Sequence, residues 1–197
     1  MPEMMFKLLP LLLLVSSCAL APSNLQSSHS RALAARNIRR IAVYHAEPAL
    51  PLSSQVYTTM ASLPRWQIVS EREVKEMISL VPQGSDRDRA QRLGELVYAD
   101  AVILARFLRY RERVGEEWGA QSPASVAFVL DLVDVKRGDL VWTGRFDETQ
   151  KSLSENIFAL GDFTQRGARW LTVEELTLDG VRKAVQQLHQ VLYGRAA

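Results

Sequence analysis

Two runs with apolar residues or glycine at every second position, joined by a short turn, give the clearest structural signal in the sequence. The turn at 136–139 contains Gly138, a residue suited to a tight reversal of the chain. The alternating side chains are Val126, Phe128, Leu130 and Leu132 before the turn, and Leu140, Trp142, Gly144 and Phe146 after it. A period of two places every second side chain on one face of a strand. The sequence therefore predicts an antiparallel hairpin with one buried face, which other elements must cover.

Helical and extended segments precede this hairpin in an ordered series. Short apolar strands are predicted at 41–44 and 66–69, and a long strand at 101–111. Apolar residues at helical spacing predict helices that begin near Leu52, Ser70, Ser85 and Thr172, of which Ser70 and Thr172 open capping boxes. The predicted order is β-α-β-α-α-β-β-β-α. It indicates an α/β (α+β) fold with a single mixed β-sheet covered by helices.

The first eighteen residues have the layout of a secretory signal. One basic residue, Lys7, precedes an apolar run at 8–15, and two small residues then lead to the single cysteine, Cys18. The apolar run is shorter than the roughly 20 residues that a membrane-spanning helix needs. We therefore expect residues 1–17 to be a signal peptide that is removed.

The small residues Ser16 and Ser17 before Cys18 resemble the lipobox of bacterial lipoproteins. The resemblance implies that Cys18 becomes the acylated first residue of the mature chain, so that the lipid holds the protein on a membrane. Ala19, in place of an aspartate, implies the outer membrane and its periplasmic face if the source is Gram-negative. The alternative is an ordinary secreted protein with an unmodified cysteine near the cleavage site.

Residues 18–37 are rich in serine and alanine and show little hydrophobic pattern. Such a segment does not bury enough apolar area to offset its ordering entropy, so we expect a flexible tether of about 25 Å. A single globular periplasmic domain is expected over 38–197. Arg36, Arg39 and Arg40 form the densest basic cluster, which either lies in solvent beside the first strand or rests against anionic headgroups.

Composition excludes some classes of function. The 197 residues include 24 basic and 22 acidic side chains, for a net charge of +2, and the two signs are interspersed along the chain. Because nucleic-acid binding needs a concentrated basic face, we expect no nucleic-acid partner. With Cys18 acylated, no thiol remains for a disulfide, a nucleophile or a metal ligand. We also expect no cofactor.

Three segments, taken in order, carry a family resemblance. They are Arg40–Val43, Ala99–Ile103 and the hairpin from Leu130 to Gly144. Together they resemble a superfamily of periplasmic lipoproteins that includes the curli secretion-channel protein, the lipoprotein activators of penicillin-binding proteins and the amino-terminal domain of the Tol-system propeller protein. The tail at 146–172 is similar to short members of that superfamily. The resemblance implies a binding or assembly domain with no catalytic residues, and the short, polar segment 115–124 argues against a pore.

Few polar residues have the spacing of a catalytic or metal site. Asp131 and Asp134 are three residues apart on one predicted strand and point to opposite faces, so we predict separate structural carboxylates. His45 and Glu47 are the one histidine–carboxylate pair worth attention. The sequence contains no phosphate loop, nucleophile elbow or zinc-protease motif. We therefore predict that the protein is not an enzyme and has no metal site.

A polar segment between predicted strands holds the residues that we assign to partner binding. Trp118 lies there beside Glu116 and Glu117. An exposed tryptophan is a typical anchor of a protein interface. The alternative is that Trp118 folds back onto the sheet, with the two glutamates as solvated charges.

Three functions fit these observations. The first is a membrane-anchored, non-catalytic binding, assembly or activator module for envelope proteins. The second is an oligomeric accessory subunit of a secretion or export apparatus, which self-association of the domain would distinguish. The third is a small envelope hydrolase that uses His45 or the scattered carboxylates, which a concave pocket with convergent polar groups and perturbed titration would distinguish.

Overall fold

The computed structural model describes residues 24–31, 33–45, 50–116, 119–150 and 170–194. The strands are β1 (Leu25–His29), β2 (Arg40–His45), β3 (Gln67–Ile68), β4 (Ala101–Arg111), β5 (Val114–Glu116), β6 (Gly119–Ser122), β7 (Ser125–Asp134) and β8 (Leu140–Thr149). The α-helices within these residues are α1 (Leu50–Ala61), α2 (Glu71–Ile78), α3 (Asp86–Leu96) and α4 (Val173–Tyr193). A 3₁₀ turn lies at Leu33–Ala35.

Six of the strands form one mixed sheet in the order β1-β8-β7-β4-β2-β3. β2 is parallel to β3 and β4, whereas β4, β7, β8 and β1 pair antiparallel in succession. The order from β2 to α4 confirms the predicted fold class, apart from the small β5–β6 pair. The turn between β7 and β8 is the predicted one, and its Gly138 has a φ of 68°.

Side-chain caps begin three helices at the predicted residues. The Ser70 hydroxyl accepts from the Glu73 N–H at 3.2 Å, and the Ser85 hydroxyl accepts from the Asp88 N–H at the same distance. Thr172 and Glu175 form a complete capping box at the start of α4. These contacts satisfy N–H groups that a helix leaves unpaired in its first turn.

The sheet buries apolar residues on both faces, in two separate clusters. α1 and α4 cover one face, where Trp142, Phe128 and Phe146 are the largest fully buried side chains. α2 and α3 pack over part of the other face, against Val102 and Leu104 of β4. The described helices therefore cover the second face near the start of β4. At the other end of the sheet, where β4 and β8 end, they leave this face clear.

The predicted tether at 18–37 is wrong over residues 25–29, because these residues form β1. β1 pairs antiparallel with β8, with Leu25 opposite Phe146 and His29 opposite Trp142. β1 is held by backbone hydrogen bonds to the edge of β8. A polar side-chain sequence such as that of β1 does not predict this pairing. Cys18 and the signal segment 1–17 lie outside the described residues.

The polar segment between β4 and β7 is more ordered than the predicted loop. β5 and β6 pair antiparallel, with Val114 opposite Ser122 and Glu116 opposite Gly119. Gly115 has a φ of 105°, a conformation that residues with a Cβ rarely adopt. The segment is therefore a small hairpin that extends from the end of β4.

Candidate functional site

A cleft of about 850 Å³ opens at the carboxyl end of β2, between α1, α2 and α3. Val43 and Ile78 contribute apolar walls, and the charged side chains come from α2 and α3. The polar and charged residues that line it are Tyr44, His45, Ser53, Ser54, Glu71, Lys75, Asp86 and Arg89. Its volume is in the range of small-molecule sites in proteins.

The cleft brings His45 together with a serine that the sequence did not single out. The Ser53 hydroxyl lies 3.2 Å from Nδ1 of His45, and Ser53 is buried. A serine nucleophile needs a base that is itself oriented by a third group. Among the described residues no carboxylate hydrogen-bonds to His45, and Glu47 lies outside them. The pair thus has the serine–histidine contact of a catalytic triad, and the described residues do not supply the carboxylate–histidine contact.

The side chains with clearly raised pKa values lie away from the cleft. Burial raises the pKa of Tyr110, and the nearby carboxylates Glu174 and Glu112 add to the effect. Burial also raises the pKa of Tyr193, whose hydroxyl donates to the Ile38 carbonyl at 2.7 Å. These shifts follow from packing around α4 and mark no acid–base pair in the cleft.

Asp131 and Asp134 act separately, as predicted from their spacing. Asp131 accepts hydrogen bonds from Arg106 and from the Thr143 hydroxyl, the latter at 2.8 Å. Asp134 accepts from Arg36 at 2.6 Å and from the Arg137 backbone N–H at 2.9 Å. Both carboxylates are fully engaged in holding the sheet and its turn.

The basic cluster near the start of β2 is occupied by contacts within the protein. Arg36 pairs with Asp134, and Arg40 pairs with Glu73 at 3.1 Å. Arg39 donates through its Nε to Asn37 at 2.9 Å. The two roles predicted for this cluster are a solvated position beside the first strand and docking on headgroups; the cluster lies beside that strand, and Arg36 and Arg40 are held by carboxylates of the protein itself.

No group of three or more potential metal ligands occurs within the described residues. In the same part of the chain, no helix has the length and apolar character to cross a membrane. His29 lies in β1, and His189 lies on α4, where Nε2 is 3.0 Å from the Pro64 carbonyl oxygen. The three histidines are thus in different parts of the fold.

The predicted partner-binding residues are only partly described. Glu116 is exposed at the end of β5, while Glu117 and Trp118 lie outside the described residues. Three exposed apolar side chains precede Glu116 in the sequence. Leu108 is 51% exposed, Tyr110 44% and Val114 56%. The sequence pattern does not reveal these three as exposed, because Leu108 and Tyr110 continue a strand whose first five apolar residues are buried, and Val114 follows in the short strand β5.

Arginines cluster at the same end of the sheet, on the face that the described helices leave clear. Arg106 and Arg109 of β4 share the face opposite α4, because a register shift between Phe107 and Arg109 adds one residue to β4 there. Arg145 of β8 lies in the same row as Arg106. Arg106 pairs with Asp131, and Arg109 and Arg145 both contact Asp147. This end therefore carries a charged face beside an exposed apolar group.

No protein-family pattern matches the chain, and no curated protein is significantly similar to it. Solved structures with a similar arrangement include the PelC dodecamer from Paraburkholderia phytofirmans, at 14% identity and a TM-score of 0.45 over 83% of this chain and 95% of that one. Lipoprotein GNA1162 from Neisseria meningitidis is 17% identical, with a TM-score of 0.41 over 66% and 93% of the two chains. The LpoB C-terminal domain from Salmonella enterica is 18% identical, with a TM-score of 0.38 over 58% and 84%. At these identities and TM-scores the similarities assign no function.

Proposed function

We propose that the protein is a lipid-anchored, non-catalytic module that binds an envelope protein through the hairpin β5–β6 and the end of β4. The anchor in this proposal is Cys18, acylated after removal of residues 1–17. The domain then works at the periplasmic face of the outer membrane. The lipobox-like sequence before Cys18 supports the anchor, and the features of the hairpin support the binding role.

The observation that carries the binding role is the exposed apolar group at the base of the hairpin. Leu108, Tyr110 and Val114 lie within seven residues of one another in the sequence, and each exposes more than two-fifths of its surface. Where exposed apolar side chains form a contiguous patch on a folded domain, they often mark an interaction site. Trp118 follows them in the sequence, so we propose it as the anchor of the interface, flanked by Glu116 and Glu117.

The geometry of the cleft gives weaker support to a hydrolase. His45 and Ser53 are in contact there, but the described residues supply no orienting carboxylate at the histidine. Since activation of a serine depends on such orientation, the cleft lacks a contact that catalysis needs. A binding role therefore accounts for the exposed apolar residues of β4 and β5, whereas a hydrolase would account only for the His45–Ser53 contact.

In-cell photo-cross-linking tests the binding role directly. A photo-reactive amino acid replaces Val114 in the full chain, and a matched replacement at the exposed residue Arg182 of α4 serves as the control. We expect position 114, and not position 182, to capture an envelope protein. Recovery of no such protein above background would contradict the proposal, and capture of a second copy of this chain would favour an oligomeric subunit instead.

A substitution tests the role of the tryptophan within this surface. We expect Trp118→Ala to reduce the captured amount at position 114 at least tenfold, since interface anchors contribute about 2 kcal/mol or more to binding. The free energy of unfolding of the variant is measured in parallel. Unchanged capture by a folded variant would remove Trp118 from the interface.

A further inference from the structure

The end of the sheet where the chain enters β1 carries the arginine face, which we define as Arg106, Arg109, Arg111 and Arg145. We propose that this face docks on anionic lipid headgroups of the membrane that holds the acylated Cys18. The inference rests on the proposed anchor. It adds an orientation, in which the bilayer lies against the open face of the sheet and away from α4.

The four arginines share one face of the sheet. In the strand register, Arg106 lies opposite Val129, which lies opposite Arg145. Arg109 lies opposite Ala127 and Arg111 opposite Ser125, two and four positions from Val129 on β7. Side chains directly opposite each other in paired strands project to the same side. Phe128 and Phe146 alternate with these positions and face α4. The arginines therefore project from the side of the sheet that α4 does not cover.

The arginine face has an excess of positive charge. Among the described residues, the carboxylates on it are Asp131, which pairs with Arg106, and Asp147, which contacts both Arg109 and Arg145. Within the described residues, Arg111 forms no ion pair. Four guanidinium groups thus face two carboxylates. Anionic headgroups complement this excess, and each arginine near such a surface contributes about 1 kcal/mol of attraction.

The length of chain outside the structure places the lipid close to this face. Asn24 is the first described residue, and its carbonyl accepts from the Asp147 N–H at 3.0 Å. Cys18 precedes Asn24 by six residues, so the two are at most about 22 Å apart, whatever path the chain takes. From β1 to β4 the sheet is three strand spacings wide, or about 14 Å. An acylated Cys18 therefore holds the whole arginine face within reach of the headgroups.

The helices on the same side of the sheet do not block this approach. α3 packs close to Val102, where a Cβ at Gly94 would lie 2.9 Å from the valine side chain. Arg109 is seven residues farther along β4, or about 20 Å away. The arginine face thus begins at Arg106, two residues beyond Leu104 at the edge of the helix layer, and extends away from that layer. A tilted domain brings Arg109 and Arg111 to the membrane first.

Lipid-dependent quenching of a site-specific probe tests this orientation. The full chain has one cysteine, Cys18, so an added cysteine is the single free thiol once Cys18 is acylated. Gln26→Cys places a fluorescent label opposite Arg145, and Gln186→Cys places the same label at an exposed residue of α4. The lipidated protein is reconstituted in vesicles that contain a nitroxide-labelled lipid.

We expect the label at position 26 to be quenched in vesicles of phosphatidylglycerol and phosphatidylcholine, and less so in pure phosphatidylcholine or at high salt. The label at position 186 stays unquenched throughout. Arg111→Gln with Arg145→Gln lowers the docked-to-undocked ratio about 25-fold, fivefold for each arginine. Arg182→Gln with Lys183→Gln, an equal loss of charge on α4, leaves the ratio unchanged.

Two outcomes separate failure of the orientation from failure of the anchor. Protein that floats with the vesicles while the label at position 26 stays unquenched, or is quenched regardless of lipid charge, overturns the docking proposal alone. Protein that does not float with any vesicles overturns the anchor, and the proposed function with it.

Discussion

At the scale of single residues, two glycines allow the largest side chains into the core. A Cβ at Gly144 would lie 2.4 Å from the Trp142 ring, and a Cβ at Gly180 would lie 2.5 Å from the Phe146 ring. Distances this short require a neighbour to move. Sequence periodicity identified the tryptophan and the phenylalanine as buried, but it contains no information on which glycines contact them.

Gly180→Ala tests this close packing. Alanine favours a helix over glycine by up to about 1 kcal/mol, but the clash with Phe146 costs about 1–3 kcal/mol in a packed core. We therefore expect a lower free energy of unfolding in denaturant titrations. Gly84→Ala is the matched control, because its Cβ would meet no atom closer than 3.8 Å. A stabilised Gly180→Ala variant would contradict the packing described.

Tyr193 makes stability sensitive to alkaline pH. Burial raises its pKa, Asp100 adds to the rise, and Arg65 and Arg39 oppose it. A raised pKa favours the protonated form in the folded state, so its stabilisation is complete below the unfolded pKa of about 10. It is lost as the pH rises through the higher folded value.

Tyr193→Phe should remove this component of the pH dependence. The variant also loses the hydrogen bond to the Ile38 carbonyl, so we expect it to be about 0.5–1.5 kcal/mol less stable at neutral pH. Urea titrations across the alkaline range measure both effects. Tyr98→Phe, at a residue that is 87% exposed, is the control and should change neither. An unchanged alkaline decline in Tyr193→Phe would show that other groups cause it.

Sequence patterns do not predict which residues of different elements meet in the candidate sites. His45 was considered from the sequence, but its partner Ser53 was not, because no motif links a residue at the end of a strand to one in the next helix. The arginine face was missed for a similar reason. Arg106 and Arg145 come into one row only through the pairing of β4, β7 and β8.

At the scale of elements, strong patterns were predictive and polar strands were not. The order from β2 to α4 follows from alternation, helical spacing and capping residues. β1 has the sequence Leu-Gln-Ser-Ser-His, which shows no strand pattern, and β5 and β6 are short and polar. Such strands depend on backbone pairing with a neighbour, and side-chain patterns do not report this.

Two neighbouring proline substitutions test whether β1 is part of the sheet. The Asn24 carbonyl accepts from Asp147 of β8, and the Ser30 N–H donates to the Val141 carbonyl. Because every second residue of an edge strand bonds to its neighbour, the Ser28 N–H also points to β8, whereas the Ser27 N–H points to the outer edge. Ser28→Pro should therefore lower the free energy of unfolding by about 1–3 kcal/mol, the cost of an unsatisfied group. Ser27→Pro should have a smaller effect, since prolines are tolerated at strand edges. Equal effects would argue against the pairing.

The capping box of α4 gives a second test at this scale. Thr172→Ala removes the hydroxyl that accepts from the Glu175 N–H, and we expect a loss of about 1 kcal/mol in the free energy of unfolding. Thr172→Ser keeps the hydroxyl and should retain most of the stability. Chemical denaturation of both variants measures the difference, and an equal loss in both would show that the threonine methyl group matters more than the cap.

At the scale of the whole molecule, the proposed anchor at Cys18 would join the sheet to the membrane through a short length of chain. With β1 in the sheet, the segment between Cys18 and the folded domain is shorter than the tether that the sequence predicted. In the proposed arrangement, the anchor at Cys18 holds the sheet near the lipid, with the arginine face on one side and the hairpin β5–β6 at the end of the sheet. In this arrangement a partner protein meets the hairpin close to the bilayer surface.

The central claim is that the mature chain begins at an acylated Cys18, and mass spectrometry of its N-terminal peptide is the most direct test. The protein is isolated from membranes of the expressing bacterium, beside a Cys18→Ser variant as the control. The account predicts an N-terminal peptide that starts at Cys18 and carries the mass of acyl chains, and no such peptide from the variant. A mature chain that starts elsewhere, or an unmodified Cys18, would contradict it.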